Sequence, residues 1–149
     1  MKFEVVKKLR LKTSYPIMEC KKALEEVGGD YNKAEEILKK RGIEKISEKN
    51  ERKTSAGIIE SHSHQGKVGV LVEVLCETDF VAKNKEFSSL VHNLTLQIAS
   101  MNPKDIKELL NQPFIKEENR IISDLLDEKI RKTGENIKLK RFIRWELGE

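Results

Sequence analysis

Apolar residues in the first 42 positions recur at the spacing of short amphipathic helices. Phe3, Val6 and Leu9 share one face of a first helix, which ends before a proline. Two further helices each carry an apolar face, made of Cys20, Ala23, Leu24 and Val27, then of Tyr31, Ala34, Ile37 and Leu38. Gly28-Gly29 ends the second helix of the module, and Gly42 closes the third. The pattern predicts a three-helix module over residues 1–42.

A charged segment follows this module. Residues 43–53 are almost all polar, and Ile43 and Ile46 are the only apolar side chains among them. Such a composition is typical of a linker or of an exposed helical connector. We therefore predict a domain boundary here and a second domain over residues 54–149.

The hydrophobic period changes to two at the start of the second domain, as expected of strands. Ile58, Glu60 and His62 alternate with Ile59, Ser61 and Ser63, and Val68, Val70, Val72 and Val74 alternate with Gly69, Leu71, Glu73 and Leu75. Gln65-Gly66 lies between the two segments as a turn. The pattern predicts an antiparallel hairpin.

Helical spacing returns after the hairpin, and the chain closes with a strand. Phe87, Leu90, Val91, Leu94 and Ile98 define one helix, which Asn102-Pro103 ends. A second helix is predicted from Glu117 to Arg131. Beyond Gly134, a last strand places Ile137, Leu139, Ile143 and Trp145 on one face. The predicted core is a β-β-α-α-β unit, an α+β fold with an antiparallel three-stranded sheet.

Charge and cysteine content narrow the choice of compartment and partner. Residues 1–53 carry 15 Lys and Arg against 10 Asp and Glu, and this basic excess suits nucleic acid or an acidic protein surface. The two cysteines, Cys20 and Cys76, form no C-x-x-C pair. No apolar run has the length of a signal peptide or a membrane span. We expect a cytoplasmic protein with no membrane partner.

Motifs of enzymes and nucleotide-binding proteins do not occur in the chain. It has no G-x-x-x-x-G-K-[ST], G-x-G-x-x-G or H-E-x-x-H, so we expect no covalent catalysis and no cofactor. His62 and His64 share one face of a predicted strand, and one hypothesis is that Asp79 or Cys76 completes the metal site of a hydrolase with them. Alternatively, both histidines are surface residues near a hairpin, and Cys76 is a small buried hydrophobic residue.

The polarity changes abruptly where the second strand ends, at residues 77–84. Thr78 or Asp79 could cap a following helical turn, and Phe80 could fold back into the core. Alternatively, Asp79 and Phe80 are presented together at a rigid strand-to-helix corner that contacts another protein. The residue pattern leaves both interpretations open.

The same segment resembles the signature of the elongation factor Ts family, and three other stretches match that family in the same order. The stretches are Glu77-Thr78-Asp79-Phe80-Val81-Ala82-Lys83-Asn84; Met18-Glu19-Cys20-Lys21-Lys22-Ala23-Leu24 with Gly29-Asp30 and Lys33-Ala34; Gly69-Val70-Leu71-Val72-Glu73-Val74; and Gly134-Glu135-Asn136-Ile137 with Arg141-Phe142 and Glu146-Leu147-Gly148-Glu149. Together they extend over nearly the whole chain.

The resemblance implies a guanine nucleotide exchange factor that releases GDP from elongation factor Tu. It implies that Thr78, Asp79, Phe80 and Val81 act at the magnesium region of that partner. Phe80 would be the wedge, and Asp79 would redirect the groups that hold Mg²⁺ and phosphate. The first module resembles the ubiquitin-associated-like (UBA-like) domain of the family, with a docking area that includes residues 12–18.

This chain has one core unit, whereas many members of the family have two related halves and an inserted helical hairpin. It therefore resembles the short form of the family, in which two copies assemble. The resemblance implies a homodimer, with the alternating residues from Ile137 to Trp145 at its interface.

The alternative from another functional class is a basic RNA-binding module, with Lys39, Lys40, Arg41, Lys45, Lys49, Arg52 and Lys53 as its basic cluster. The chain has only eight aromatic residues, and none is arranged as a stacking platform. Glu44, Glu48 and Glu51 dilute the cluster. We therefore expect no nucleic-acid partner.

Overall fold

The computed structural model describes the backbone of residues 3–149 and their side chains, apart from the side chains of residues 43–49. The chain divides into two compact units, one ending at Glu51 and the other beginning at Arg52. In the part of the chain described, no helix has both the length and the apolar character needed to cross a membrane.

The first unit is a bundle of three helices: α1 (Phe3–Thr13), α2 (Ile17–Glu26) and α3 (Tyr31–Lys49). Its core consists of the apolar positions that define the predicted helix faces, together with Tyr15: Val6, Leu9, Tyr15, Cys20, Ala23, Leu24, Ala34 and Leu38. Of the other predicted positions, Val27, Tyr31 and Ile37 are partly buried, whereas Phe3 has 67% of its surface exposed. The three predicted helices are present.

Helix α3 is longer than its pattern predicts. The helix does not close at Gly42 but continues to Lys49, through most of the predicted linker. A glycine inside a helix costs about 1 kcal/mol relative to alanine, yet it ends the helix only where the backbone turns left-handed. Gly42 is not among the residues with positive φ. The side chains of Ile43, Lys45, Ile46 and Lys49 lie outside the described residues.

The second unit contains five strands and four helices among its described residues. The strands are β1 (Ala56–His64), β2 (Val68–Cys76), β3 (Pro113–Phe114), β4 (Glu117–Ile121) and β5 (Lys138–Glu146). The helices are α4 (Asp79–Ala82), α5 (Lys85–Met101), α6 (Ile106–Asn111) and α7 (Ile122–Thr133). An antiparallel sheet has the order β1-β2-β5, which confirms the α+β fold class.

The core of this unit lies between the sheet and the helices. Strand β2 contributes the buried side chains of Val70, Val72 and Val74, as its alternation predicts. Helix α5 contributes its predicted apolar face, made of Phe87, Leu90, Val91, Leu94 and Ile98. The helix ends where Asn102 adopts a left-handed conformation just before Pro103.

Residues 113–121 differ from the prediction. Glu117–Ile121 is a strand paired with β3, and the helix begins only at Ile122. The prediction of a helix from Glu117 to Arg131 is therefore wrong at its start. The buried Gln97 of α5 fixes this hairpin, because its amide donates to the carbonyl of Pro113 and accepts from the Ile115 N–H. This contact between distant residues overrides the local pattern.

Strand β5 contains a β-bulge that changes which residues share a face. Leu139 pairs with Val74, but the next pair joins Arg141 to Glu73, so Lys140 is the additional residue. Before the bulge, Ile137 and Leu139 are buried in the core. After it, Ile143 and Trp145 lie on the opposite face and are exposed, so the prediction of one shared face is wrong.

Candidate partner-binding site

The candidate site begins where β2 leaves the sheet. Thr78 is the N-cap of α4, because its Oγ1 accepts a hydrogen bond from the Val81 N–H at 3.3 Å. Asn84 caps α5 in the same way, accepting from the Glu86 N–H at 2.7 Å. The two caps fix a single helical turn between strand and helix. Of the two candidate capping residues, Thr78 caps this turn and Asp79 does not.

The three side chains of this turn point to different surroundings. Val81 is only 6% exposed and anchors the turn in the core, whereas Phe80 is 84% exposed. Among the large hydrophobic side chains described, Phe80 has the highest exposed fraction. Asp79 is also exposed, one position before Phe80. The structure therefore excludes Phe80 from the core and presents it together with a carboxylate.

The carboxylate of Glu135, which is distant in sequence, holds this turn in place. The Oε1 atom of Glu135 accepts from the backbone N–H groups of Glu77 at 3.1 Å and of Thr78 at 3.0 Å. Its Oε2 atom accepts from the Thr78 hydroxyl at 2.7 Å. Glu135 follows Gly134, which ends α7 in the left-handed conformation at φ 74°. The loop after α7 is thus joined to the turn by three hydrogen bonds.

The two segments also exchange hydrogen bonds in the opposite direction. Glu77 Oε2 accepts from the Asn136 N–H at 3.2 Å and lies 3.9 Å from the guanidinium of Arg52. Arg52 in turn donates to the carbonyl of Gly134 at 3.3 Å. The residue pattern assigned no role at this turn to Glu135 and placed Arg52 only in the basic cluster of the RNA-binding alternative. The signal for Glu135 in the sequence was the stretch Gly134-Glu135-Asn136-Ile137, which matches the family but shows no contact by itself.

Cys76 lies beneath the turn and is buried. Burial raises the pKa of its thiol, and the nearby carboxylates of Glu135 and Asp79 act in the same direction. The Sγ atom donates to the carbonyl of Thr78 at 3.3 Å. A protonated, buried thiol is a poor nucleophile, so the geometry favours a packing role for Cys76.

The two histidines of the hydrolase hypothesis lie far from this turn. His64 pairs with Val68 at the hairpin end of β2, whereas Cys76 is the last residue at the other end. The nine residues of strand from Val68 to Cys76 separate the two ends of β2 by about 27 Å. Asp79 and Cys76 therefore cannot join the histidines in one metal site. Within the described residues, no group of three or more His, Cys, Asp or Glu is placed to hold a metal ion.

Comparison with known proteins identifies the family. The sequence model of the family described as Elongation factor TS matches residues 77–149, which include the turn and the loop that braces it. Elongation factor Ts from Thermodesulfovibrio yellowstonii is 38% identical, over 98% of this chain and 96% of the relative. The protein of the same name from Coprothermobacter proteolyticus is 39% identical over 97% of each chain.

This chain belongs to the elongation factor Ts family. The resemblance drawn from the four sequence stretches is confirmed, and the protein is a translation elongation factor by family. Two of those stretches meet in the structure, since Glu135 of one accepts hydrogen bonds from Glu77 and Thr78 of the other.

The chain is shorter than these members of the elongation factor Ts family. Its alignment with the Thermodesulfovibrio yellowstonii protein spans 190 positions, whereas the chain has 149 residues. At least 41 of the aligned residues of that relative therefore have no counterpart here.

The basic residues of the RNA-binding alternative are partly occupied by ion pairs. Arg41 contacts the carboxylate of Glu26 at 2.6 Å, and Arg52 binds within the network beside the turn. Such pairs lower the positive charge available to a phosphate backbone. Among the described residues, the structure thus adds no feature that favours nucleic acid over a protein partner.

Proposed function

We propose that this member of the elongation factor Ts family is a guanine nucleotide exchange factor that releases GDP from elongation factor Tu in the cytoplasm. The turn of Thr78, Asp79, Phe80 and Val81 is its contact site for the partner, with Asp79 and Phe80 exposed and Val81 buried as the anchor. The observation that supports this assignment is the 84% exposure of Phe80 on a turn fixed by two helix caps and the buried Val81. An exposed aromatic side chain on a rigid support is well suited to enter another protein.

Exchange of this kind requires no covalent chemistry from the chain. The partner holds GDP through charge-based contacts to phosphate and Mg²⁺. A factor that binds the nucleotide-free partner more tightly than the GDP complex must lower the affinity for GDP by the same factor. Exchange therefore depends on the difference between the affinities of the factor for these two states of the partner. The exposed side chains of the turn provide the contact surface.

The side chains of the turn have different roles in nucleotide exchange. Phe80 enters between side chains or helices of the partner, and a buried aromatic of this size covers about 150–250 Å². Asp79 and the adjacent backbone compete for the groups that hold Mg²⁺ and phosphate. Val81 anchors the turn in the core, and Thr78 holds it through its cap hydrogen bond.

Phe80→Ala tests this proposal directly. Because Phe80 is exposed, the variant should keep its fold, and a lost hot-spot contact of about 2 kcal/mol predicts exchange slowed about 30-fold. The measurement is release of fluorescent GDP from elongation factor Tu. Met101→Ala, which truncates an exposed side chain at the far end of α5, is the control and should match the unmodified protein. Unchanged release with Phe80→Ala contradicts the mechanism.

The first unit supplies a second contact in this proposal, at the corner between α1 and α2. Ile17 and Met18 are exposed there, and the nearby Lys12 pairs with Glu35 at 3.1 Å. Ser14 adopts a left-handed conformation at the corner, with φ 62°. A small exposed apolar surface suits a protein partner.

The uncovered face of the sheet provides the proposed homodimer interface. Ile59, Leu71, Ile143 and Trp145 are exposed on this face, and the first three line a cleft of about 370 Å³. Ile137 and Leu139 are excluded from the interface because they are buried in the core. A second copy would cover the face by packing sheet on sheet, with Glu73 and Arg141 of each copy at the contact.

Sedimentation tests the dimer. At micromolar concentration the protein should sediment with the mass of two chains, and Ile143→Lys should shift it to the mass of one, since the variant places a charge in the apolar contact. Glu118→Lys also changes a charge at an exposed strand position, on β4 outside this sheet, and should leave the dimer intact. A monomer for the unmodified protein contradicts this part of the proposal.

A further inference from the structure

The hydrogen bonds of Glu135 indicate a role in the exchange site for a residue that does not belong to the turn. Its carboxylate accepts from two successive backbone N–H groups and from one hydroxyl, all at the point where the chain leaves β2. The two N–H groups and the hydroxyl thus approach the Glu135 carboxylate from three directions. A carboxylate has lone pairs enough for all three.

The contact with the Thr78 hydroxyl links Glu135 to the helix cap. A hydroxyl has one hydrogen, which here points to Glu135 Oε2, so its lone pairs remain to accept from the Val81 N–H. The carboxylate thus sets the orientation of the group that caps α4. The sequence of contacts runs from Glu135 through Thr78 to Val81, the residue next to Phe80.

Helix α4 depends on such external contacts. It has four residues, and a single helical turn is unstable without tertiary support. Phe80 has little buried surface to hold its direction, since 84% of it is exposed. The direction of its side chain therefore follows from the cap at Thr78 and from the anchor at Val81.

The loop that carries Glu135 is itself firmly placed. Asn136 is only 3% exposed, its side-chain amide donates to the Arg52 carbonyl at 3.0 Å, and its backbone N–H donates to Glu77. Arg52 closes the arrangement by donating to the Gly134 carbonyl. A fixed loop can transmit position to the turn, whereas a mobile loop could not.

We infer that Glu135 is a positioning residue for nucleotide exchange: it fixes the Thr78 cap, and thereby the direction in which Phe80 is presented to the partner. This inference rests on the proposed function, because it assigns Glu135 an effect that operates through Phe80. Glu135 itself need not contact elongation factor Tu.

The first test uses the protein alone and is independent of the proposed function. Amide hydrogen exchange followed by NMR should show that Glu135→Ala speeds exchange at Val81 about tenfold, since opening the cap exposes that N–H. Glu135→Gln retains one oxygen for the two backbone amides and should give a smaller change. Glu118→Ala removes the same charge from an exposed position on β4 and should change nothing. Unaltered exchange at Val81 in Glu135→Ala overturns the inference.

The second test measures GDP release from elongation factor Tu in a double-mutant cycle. Glu135→Ala should lower the rate at saturating protein about tenfold, because small misplacements of a contact group are costly. Glu135→Gln should restore part of the rate. In the Phe80→Ala background, Glu135→Ala should cause no further loss. An equal loss in both backgrounds overturns the inference, since Glu135 would then act independently of Phe80.

The two tests separate the inference from the proposal beneath it. If Phe80→Ala releases GDP at the unmodified rate, the proposed function fails, while exchange at Val81 still reports whether Glu135 fixes the turn. If Glu135→Ala does not fold, Glu135→Gln is used in both tests. Release by Glu135→Gln at the unmodified rate, with unaltered exchange at Val81, then counts against the inference.

Discussion

The two ends of strand β2 are held in different ways. At the hairpin end, the Lys67 N–H donates to the His64 carbonyl at 3.0 Å, so residues adjacent in sequence close the turn, and one distant backbone group, the Leu147 N–H, donates to the Lys67 carbonyl at 2.7 Å. At the other end, Glu77 and Thr78 donate to Glu135, which lies 58 and 57 residues away. Neighbouring residues therefore close the turn at the first end, whereas the side chain of a distant residue holds the second. The candidate function lies at the second end.

This difference explains why the tertiary end suits a partner contact. A turn closed by its own residues has a geometry that few distant changes can alter. A turn held by a distant loop adopts its geometry only in the folded unit, where Phe80 can be presented on a rigid support. Exposed side chains that act on partners benefit from such support, because less conformational entropy is lost on binding.

Substitution of Gly57 should have the largest effect on stability. Gly57 lies near the end of β2 that Glu135 holds. It lies opposite Leu75 with φ 152°, and a Cβ atom there would come within 2.2 Å of the Val74 carbonyl oxygen. Gly57→Ala should therefore lower the free energy of unfolding by about 3 kcal/mol, through steric overlap and backbone strain. Urea unfolding followed by Trp145 fluorescence measures this loss, since the single tryptophan reports on the second unit.

Gly69→Ala is the matched control for this substitution. Gly69 lies on the adjacent strand, and a Cβ atom there has no neighbour within 4 Å. The control should change the free energy of unfolding by less than about 0.5 kcal/mol. Equal losses for the two variants would mean that β1 and β2 tolerate side chains alike, and the close approach at Gly57 would have no energetic weight.

The sequence predicts those parts of the fold that depend on local periodicity. The period of two in Val70, Val72 and Val74 predicts the buried face of β2, and helical spacing predicts α5. It does not predict β4, because Glu117–Ile121 becomes a strand only through pairing with β3, which the buried Gln97 holds. Pairing with a distant segment has no signature in a local pattern.

The same limit applies to β5 and to the candidate site. A single additional residue at Lys140 reverses the faces of Ile143 and Trp145, and a pattern of alternation cannot show such a bulge. In the turn, local chemistry predicts a cap at Thr78 or Asp79 but does not choose between them. Glu135 favours Thr78, because its carboxylate orients the threonine hydroxyl.

The smallest expected effect lies at the hairpin end, where local sequence alone should alter stability. Gln65 and Gly66 both have positive φ, 53° and 67°, the combination of a type I′ turn, in which asparagine is favoured at the first position. Gln65→Asn should raise the free energy of unfolding by about 0.5 kcal/mol, because asparagine adopts this conformation at lower cost than glutamine.

Gln65→Ala is the control and should give no gain. The measurement is again urea unfolding followed by Trp145 fluorescence, and GDP release should remain unchanged, since the hairpin and the Phe80 turn lie at opposite ends of β2. A slower release would show that the two ends are coupled through the strand, which would contradict their separate control.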